Sequence, residues 1–312
     1  MGKKDTITKM YMSKPEYFAD AFNYYLFDGK QTIRASDLRP VDPTELGIVF
    51  DDENKEIVQK VRDVLKQCII MQDEKMAYLL LGIENQSHIH YAMPVKNMIY
   101  DALNYGQQVS EIAKFHREEK DVSGDEFLSG FSKTDALKPV ITLVVYFGTD
   151  EWDAPRSLKD MFVEVDEEIL QYVCDYKVNL LIPKEIKDFS KFTTDFGKAM
   201  KYISVSGDNQ KYNDVVNEER YRIINVETAE LLNECVGMEI SIRNREEIVD
   251  MCEAVKAIKL EGRLEGRLEG IEALITTLRE LGQDEAFILK TLIEKFSLTE
   301  EEANQHLSPE EA

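Results

Sequence analysis

Apolar runs in the first half of the chain predict a β-hairpin followed by a long helix. The two strand-like runs are residues 61–70 and 76–84, and the second is rich in Leu and Ile. Polar residues 72–75 between them suit a hairpin loop of about 3–5 residues. Apolar side chains then recur at helical spacing over residues 91–118, which indicates an amphipathic helix.

The remaining pattern completes an α/β fold, with a mixed central sheet flanked by helices and an all-helical C-terminal region. The predicted strands are 46–50, 140–147 and 178–182, and the predicted helices are 14–27, 158–162, 168–172, 190–204, 209–222, 225–237 and 243–281. Residues 284–307 resemble two short helices, with Thr299 and Glu302 as a cap signal. We expect three parts: a sheet-containing domain over 1–185, a helical subdomain over 186–242, and the long helix with its short terminal helices over 243–312.

Three polar residues interrupt the apolar hairpin. Asp63 lies on the first predicted strand, while Glu84 and Gln86 end the second and share one face of it. If the strands pair, Asp63 and Glu84 converge at one edge of the sheet. Two converging carboxylates repel unless a cation or proton lies between them, and hard oxygen ligands favour Mg²⁺ or Mn²⁺. This is the outline of a divalent-metal hydrolytic site.

Several motifs resemble one known family. RDVLK around Asp63, GIENQS around Glu84, and the following helix with Tyr100 and Tyr105 are similar to the nuclease core of the Rpn family. These are recombination-promoting nucleases, also labelled putative transposases, in the PD-(D/E)XK superfamily. VITLVVYFGTDEW (140–152) resembles the next core strand, and EGRLEGRLEG resembles the Gly-Glu repeats of the family's tails. The resemblance covers most of the chain and is strongest over residues 18–152.

The resemblance implies a PD-(D/E)XK-type sheet and a metal-dependent DNA endonuclease. Asp63, Glu84 and the main-chain carbonyl of Asn85 would hold Mg²⁺, with Mn²⁺ as the alternative. Gln86 stands where the superfamily usually has Lys, and a glutamine can orient water but carries no charge. The relatives commonly share this Gln.

The resemblance also suggests supporting residues. Family members often carry an acid in the first helix, for which Glu16 and Asp20 are candidates; each is explained equally well as a solvated charge. Lys96 and Tyr100 on the helix after the hairpin are further candidates. Taken alone, these two residues are more simply helix surface and core rim.

Composition limits the function classes. The chain has 312 residues, 43% apolar and 31% charged, and no apolar run approaches the ~18 residues of a membrane span. The N-terminus lacks the apolar segment of a secretory signal, so we expect a cytoplasmic protein. Four dispersed cysteines are expected to be reduced. His88 and His90 form a close pair, but without a third ligand they do not predict zinc.

The net charge of −22 argues against a general nucleic-acid binder, because phosphate contacts need Lys and Arg. A nuclease of this charge would bind DNA through a local patch and its metal, with strong salt dependence. The competing class is a catalytically weak or inactive nuclease-like scaffold that binds other proteins. True transposase activity is implied only by the family's label.

The repeat LEGRLEGRLEG places Leu260, Leu264 and Leu268 four residues apart, with glycines at the same spacing. Each Gly costs about 1 kcal/mol of helix propensity relative to Ala. Self-association through close helix packing would explain the pattern. A charged helical connector explains it more simply, and we favour that interpretation.

Overall fold

A computed structural model describes residues 2–41, 44–50, 55–61, 63–72, 75–242 and 247–307, with the backbone alone for 44–50, 55–61, 70–72 and 75–78. The chain forms two compact units, Met1–Val249 and Asp250–Ala312. The division into 1–185, 186–242 and 243–312 stays a prediction.

A mixed sheet organises the first unit. The strands in chain order are β1 (Leu38–Pro40), β2 (Thr44–Phe50), β3 (Lys55–Val61), β4 (Val64–Gln72), β5 (Lys75–Gln86), β6 (Val140–Tyr146), β7 (Asn179–Leu181), β8 (Ile223–Asn225) and β9 (Ile248–Asp250). Within the described residues, five strands pair in the order β1, β4, β5, β6, β7. The β1–β4 and β4–β5 pairs are antiparallel, and β5, β6 and β7 run parallel. The predicted α/β class with a mixed sheet is confirmed.

Helices flank this sheet and form the second unit. In chain order they are α1 (Lys3–Ser13), α2 (Pro15–Phe27), α3 (Met93–Glu119), α4 (Gly124–Ser129), α5 (Glu167–Leu170), α6 (Asp195–Ser204), α7 (Asn209–Asn217), α8 (Glu219–Arg222), α9 (Val226–Val236), α10 (Met251–Glu280), α11 (Glu285–Phe296) and α12 (Glu300–Leu307). Two two-stranded sheets lie outside the five-stranded sheet: β2 pairs with β3, antiparallel, and β8 pairs with β9.

The elements around the predicted hairpin match the sequence pattern closely, with one correction. β4 and β5 pair as expected, and Gln72 faces Lys75 across the predicted turn, whose residues 73 and 74 lie outside the described part of the chain. Asp63, however, is not on a strand. It occupies a bend after β3 ends at Val61 and before β4 begins at Val64. The continuous apolar pattern over 61–70 hid this break.

The N-terminal helices pack on the helices of residues 186–242. The buried Tyr11 hydroxyl of α1 hydrogen-bonds the Thr228 hydroxyl of α9 at 2.8 Å. In α2, the carboxylate of Asp20 accepts hydrogen bonds from the backbone N–H groups and hydroxyls of Thr193 and Thr194. These contacts join the two ends of the first unit beside the sheet.

The Tyr-x-Gly ending of β6 has a steric basis. The Tyr146 ring folds over Gly148, where an added Cβ would lie 2.2 Å from the ring Cζ and Oη atoms. Trp152 packs edge-on against the same ring, with centroids 5.3 Å apart. Glycine is therefore required at this position for the Tyr146 ring to lie where it does.

The second unit is helical, as expected, but its long helix starts later than predicted. The expected start at Arg243 lies outside the described residues, and Ile248–Asp250 forms β9 before α10 begins at Met251. The Asp250 carboxylate caps α10 by accepting from the backbone of Cys252 at 2.9 Å. The predicted cap of α12 is confirmed, because Glu302 N–H donates to the Thr299 hydroxyl at 3.2 Å. None of the described helices is long and apolar enough to cross a membrane.

Candidate active site

A pocket of about 340 Å³ opens where β5 ends, in the first unit. Six of the predicted site residues line it: Asp63, Glu84, Asn85, Gln86, Lys96 and Tyr100. Asp5 of α1 and four residues of the loop after β5, namely Ser87, His88, Ile89 and His90, complete the lining. The structure therefore brings together both carboxylates of the predicted metal site.

Asp63 is held in place by the end of β5. Its Oδ2 accepts a hydrogen bond of 2.8 Å from the backbone N–H of Asn85. Val64, the next residue, pairs with Ile83, so the register of β4 against β5 carries Asp63 to the end of β5. This placement explains how a residue outside the strand reaches the same pocket as Glu84.

Glu84 is a buried carboxylate with a cationic partner. Its side chain is 2% exposed, and its Oε2 lies 2.9 Å from Nζ of Lys96 in the first turn of α3. The same Nζ lies 5.9 Å from the centre of the Tyr100 ring. A buried charge is costly unless it is paired. The N-terminus of α3 supplies that pairing.

Burial also perturbs Asp63. Loss of water raises the pKa of the Asp63 carboxyl above its ordinary value, more than the Asn85 N–H and the nearby charges of Lys96 and Lys9 lower it. Asp5 acts in the same direction as burial. Burial thus disfavours the charged form of Asp63, and a nearby cation would offset that cost.

Lys96 supplies a positive charge that the strand itself lacks. Gln86 ends β5 with an uncharged side chain, whereas Lys96 reaches the pocket from the adjacent helix α3. Lys96 follows Gln86 by ten residues, and that separation in sequence does not predict that both line one pocket. Only the family comparison had singled out Lys96.

The first-helix acid in the pocket is neither predicted candidate. Glu16 is exposed on α2, Asp20 is buried against Thr193 and Thr194, and neither lines the pocket. Asp5 of α1 lies there instead, 3.5 Å from the Ser87 hydroxyl. The sequence pattern missed α1 altogether. The helical spacing of Thr8, Tyr11 and Met12, which the structure buries, is the sequence signal that could have revealed it.

The two close histidines lie beyond the strand. β5 ends at Gln86, so His88 and His90 occupy the loop that leads to α3, and both line the pocket. Over the described residues, no group of three or more His, Cys, Asp or Glu side chains is arranged to hold a metal ion.

The donors present suit a hard divalent cation. The pocket offers the Asp63 and Glu84 carboxylates, and Asn85, near the end of β5, also lines it and could supply its main-chain carbonyl as a third oxygen. Mg²⁺ is commonly held by one or two carboxylates and keeps several waters, so it does not need a cluster of three charged side chains. These residues therefore fit the Mg²⁺ or Mn²⁺ ion that the family resemblance implies.

A second pocket, of about 710 Å³, lies near the start of α7 and contains none of the predicted site residues. It includes Asp208 and Lys211, whose side chains pair with each other at 3.1 Å. This arrangement is explained by the capping of α7 by Asp208.

The mixed sheet flanked by helices is consistent with an α/β nuclease-like fold. The chain belongs to the family described as putative transposase, YhgA-like, which matches residues 3–215. That match includes every residue that lines the 340 Å³ pocket. No curated protein and no solved structure matches the chain.

Proposed function

We propose that this protein is a divalent-metal-dependent DNA endonuclease that hydrolyses phosphodiester bonds. The observation that carries the proposal is the placement of Asp63, held by the Asn85 N–H at 2.8 Å, in the same pocket as the buried Glu84 carboxylate. Carboxylates from neighbouring segments, meeting at a sheet edge, are suited to holding a cation against a phosphate.

Asp63, Glu84 and the Asn85 carbonyl would hold Mg²⁺ or Mn²⁺. When bound, such an ion lowers the pKa of a coordinated water and stabilises charge on the scissile phosphate. The Asn85 N–H orients the Asp63 carboxylate, and the raised pKa of Asp63 makes compensation by a cation favourable. Asp5 lines the same pocket and adds to its negative charge.

Lys96 and Gln86 would together fill the two roles expected of a single active-site lysine, namely supplying a positive charge and holding a water. The Lys96 ammonium provides a positive charge beside Glu84 that can also contact a phosphate oxygen. Gln86 can hold a water by donating or accepting a hydrogen bond. Tyr100 packs beside Lys96 and restricts its position.

Plasmid cleavage tests the proposal. Purified protein is incubated at low salt with Mg²⁺, Mn²⁺, Ca²⁺ or EDTA, and wild type is compared with Asp63→Ala and Glu84→Ala. We expect cleavage that requires Mg²⁺ or Mn²⁺ and that is lost in both variants. Low salt is important because the chain's net charge of −22 weakens DNA binding. The DNA binding that remains depends on contacts to phosphates, which salt weakens further.

Matched controls separate the pocket from general loss of acidic residues. Asp214 on α7 and Glu230 on α9 are exposed carboxylates outside the pocket, and their alanine variants should cleave as wild type does. If folded wild type cuts no DNA under any of these conditions, the proposal fails. It also fails if Asp63→Ala and Glu84→Ala cleave as well as the controls.

The charge balance favours one competing function. A protein of charge −22 is suited to binding basic proteins, so a catalytically inactive nuclease-like scaffold that acts as a protein-interaction module is the alternative. A cytoplasmic location stays a prediction, and so does self-association through the C-terminal helices.

A further inference from the structure

Hydrolysis needs a group that accepts a proton from the attacking water, and the position of the usual lysine does not provide one. The Gln86 amide cannot take up a proton at neutral pH. The pocket must therefore supply the base from another residue. This question rests on the nuclease function proposed above.

The pocket carboxylates already have other partners. Asp63 accepts the Asn85 N–H, and Glu84 pairs with Lys96. Asp5 accepts the Gly2 N–H at 3.3 Å and lies exposed on α1. An imidazole, unlike these carboxylates, is not yet engaged by another group and titrates close to neutral pH.

His90 is the imidazole whose position fits best. Its backbone carbonyl accepts a hydrogen bond of 3.1 Å from the N–H of Met93, the first residue of α3, which fixes the loop at the pocket. Its Nδ1 is buried without a hydrogen-bond partner among the described residues. The ring can therefore contact a water or ligand in the pocket only through its other nitrogen, Nε2. His88, by contrast, is largely exposed.

The surroundings keep this ring neutral. Burial, followed by the charge of Lys96, lowers the pKa of His90 below its ordinary value of 6.5. The charged and titratable groups that share the pocket with it are Asp5 of α1, Asp63, Glu84 of β5, His88 of the same loop, and Lys96 and Tyr100 of α3. At neutral pH the ring thus keeps one nitrogen lone pair available.

We propose that Nε2 of His90 is the general base that takes a proton from the attacking water. The water oxygen forms the new P–O bond as one of its protons moves to Nε2. The P–O bond to the leaving sugar oxygen breaks, and that oxygen takes a proton from solvent. The imidazolium then releases its proton to solvent, so each turnover consumes one water.

The pH dependence of single-turnover cleavage tests this role. Rates are measured with saturating Mg²⁺ from pH 5 to 8 for wild type, His90→Gln, His90→Ala and a control, His306→Gln, in the second unit. We expect the wild-type rate to fall at acid pH as the imidazole protonates. Both His90 variants should be slower by roughly 10²-fold or more. Their pH–rate profiles should lack the fall at acid pH that protonation of the imidazole causes. The profile of the control should match that of wild type.

Added imidazole provides the decisive readout. It should restore cleavage by His90→Ala in proportion to its unprotonated form, and it should not change the wild-type rate. Thermal melting and Mn²⁺ binding by the variants, measured in parallel, should remain as in wild type. If His90→Ala keeps the wild-type acid limb, or if its loss is not rescued, the inference is overturned while the nuclease function stands. A wild type that does not cleave overturns both.

Discussion

The Nζ atom of Lys96 lies 2.9 Å from Oε2 of Glu84, although the two residues belong to different layers of the fold. Glu84 is near the end of a sheet strand, and Lys96 is in the first turn of the helix that covers it. The pair places a cation where the strand sequence has only Gln86. The stability of the pocket and its chemistry therefore depend on the same contact.

Replacing Lys96 with Met should destabilise the protein. The change leaves a carboxylate that is 2% exposed without this ammonium, and breaking a buried pair costs about 3–5 kcal/mol. We expect the free energy of unfolding, measured with urea, to fall by about 3 kcal/mol. This is the lower end of the range, because the Lys96 side chain is itself partly exposed to water. Cleavage should fall as well.

A double variant separates the lost pair from lost packing. Lys96→Met combined with Glu84→Gln removes both charges, so it should be more stable than Lys96→Met alone. A coupling free energy of less than about 0.5 kcal/mol in the double-mutant cycle would contradict the assigned pairing.

Asp63→Asn should stabilise the protein at neutral pH while it abolishes cleavage. Burial raises the pKa of Asp63 in the folded state above its ordinary value of 3.8. Between these two pKa values the folded state binds more protons than the unfolded chain, so stability falls as pH rises through this window. Urea unfolding at several pH values should show the advantage of Asn above the window and little advantage below it. An Asp63→Asn protein less stable than wild type at pH 7 would count against this account.

Two glycine substitutions should have opposite effects. In Gly148→Ala the new Cβ would meet the buried Tyr146 ring at 2.2 Å, so we expect a loss of about 1–3 kcal/mol from overpacking. Gly266→Ala is the control, because nothing lies within 4 Å of its added Cβ and Ala favours helix by about 1 kcal/mol. Thermal melting of the two variants should shift in opposite directions. Equal shifts would show that the Tyr146 ring does not require Gly148.

The buried His116 should make stability depend on pH. Its Nδ1 lies 2.7 Å from the Asp121 carboxylate and its Nε2 lies 2.8 Å from that of Asp135. Hydrogen bonds to Asp121 and then Asp135 raise the pKa of His116 above 6.5. This stabilisation is fully present below the unfolded value and is lost as pH rises through the raised folded pKa. The unfolding free energy of His116→Gln should decline less over that interval than those of wild type and His306→Gln.

Much of the sheet could be read from the sequence because its elements have strong periodic patterns. The pairing of β4 with β5, the helix α3 and the apolar strand β6 depend on local runs that are clear along the chain. The pattern also placed Glu84 and Gln86 at the end of β5. Their shared face follows from strand geometry alone.

The remaining features depend on contacts between distant segments. α1 was missed because its apolar residues are few and its burial comes from packing on α9 and the sheet. The entry of Asp5 into the pocket follows from that packing. The role of Asp20 likewise depends on a distant segment, because Thr193 and Thr194 donate hydrogen bonds to its carboxylate. Helical spacing alone could not distinguish such an anchor from a metal-supporting acid.

The most direct test of the central claim is the single-turnover cleavage rate of a labelled DNA duplex as a function of Mg²⁺ concentration. Wild type and Asp63→Asn are compared, with Asp214→Asn as the matched control. We predict saturable Mg²⁺ dependence in wild type and in the control, and no cleavage above background in Asp63→Asn. Cleavage that persists in EDTA, or an Asp63→Asn rate equal to that of wild type, would contradict a metal-dependent site at Asp63 and Glu84.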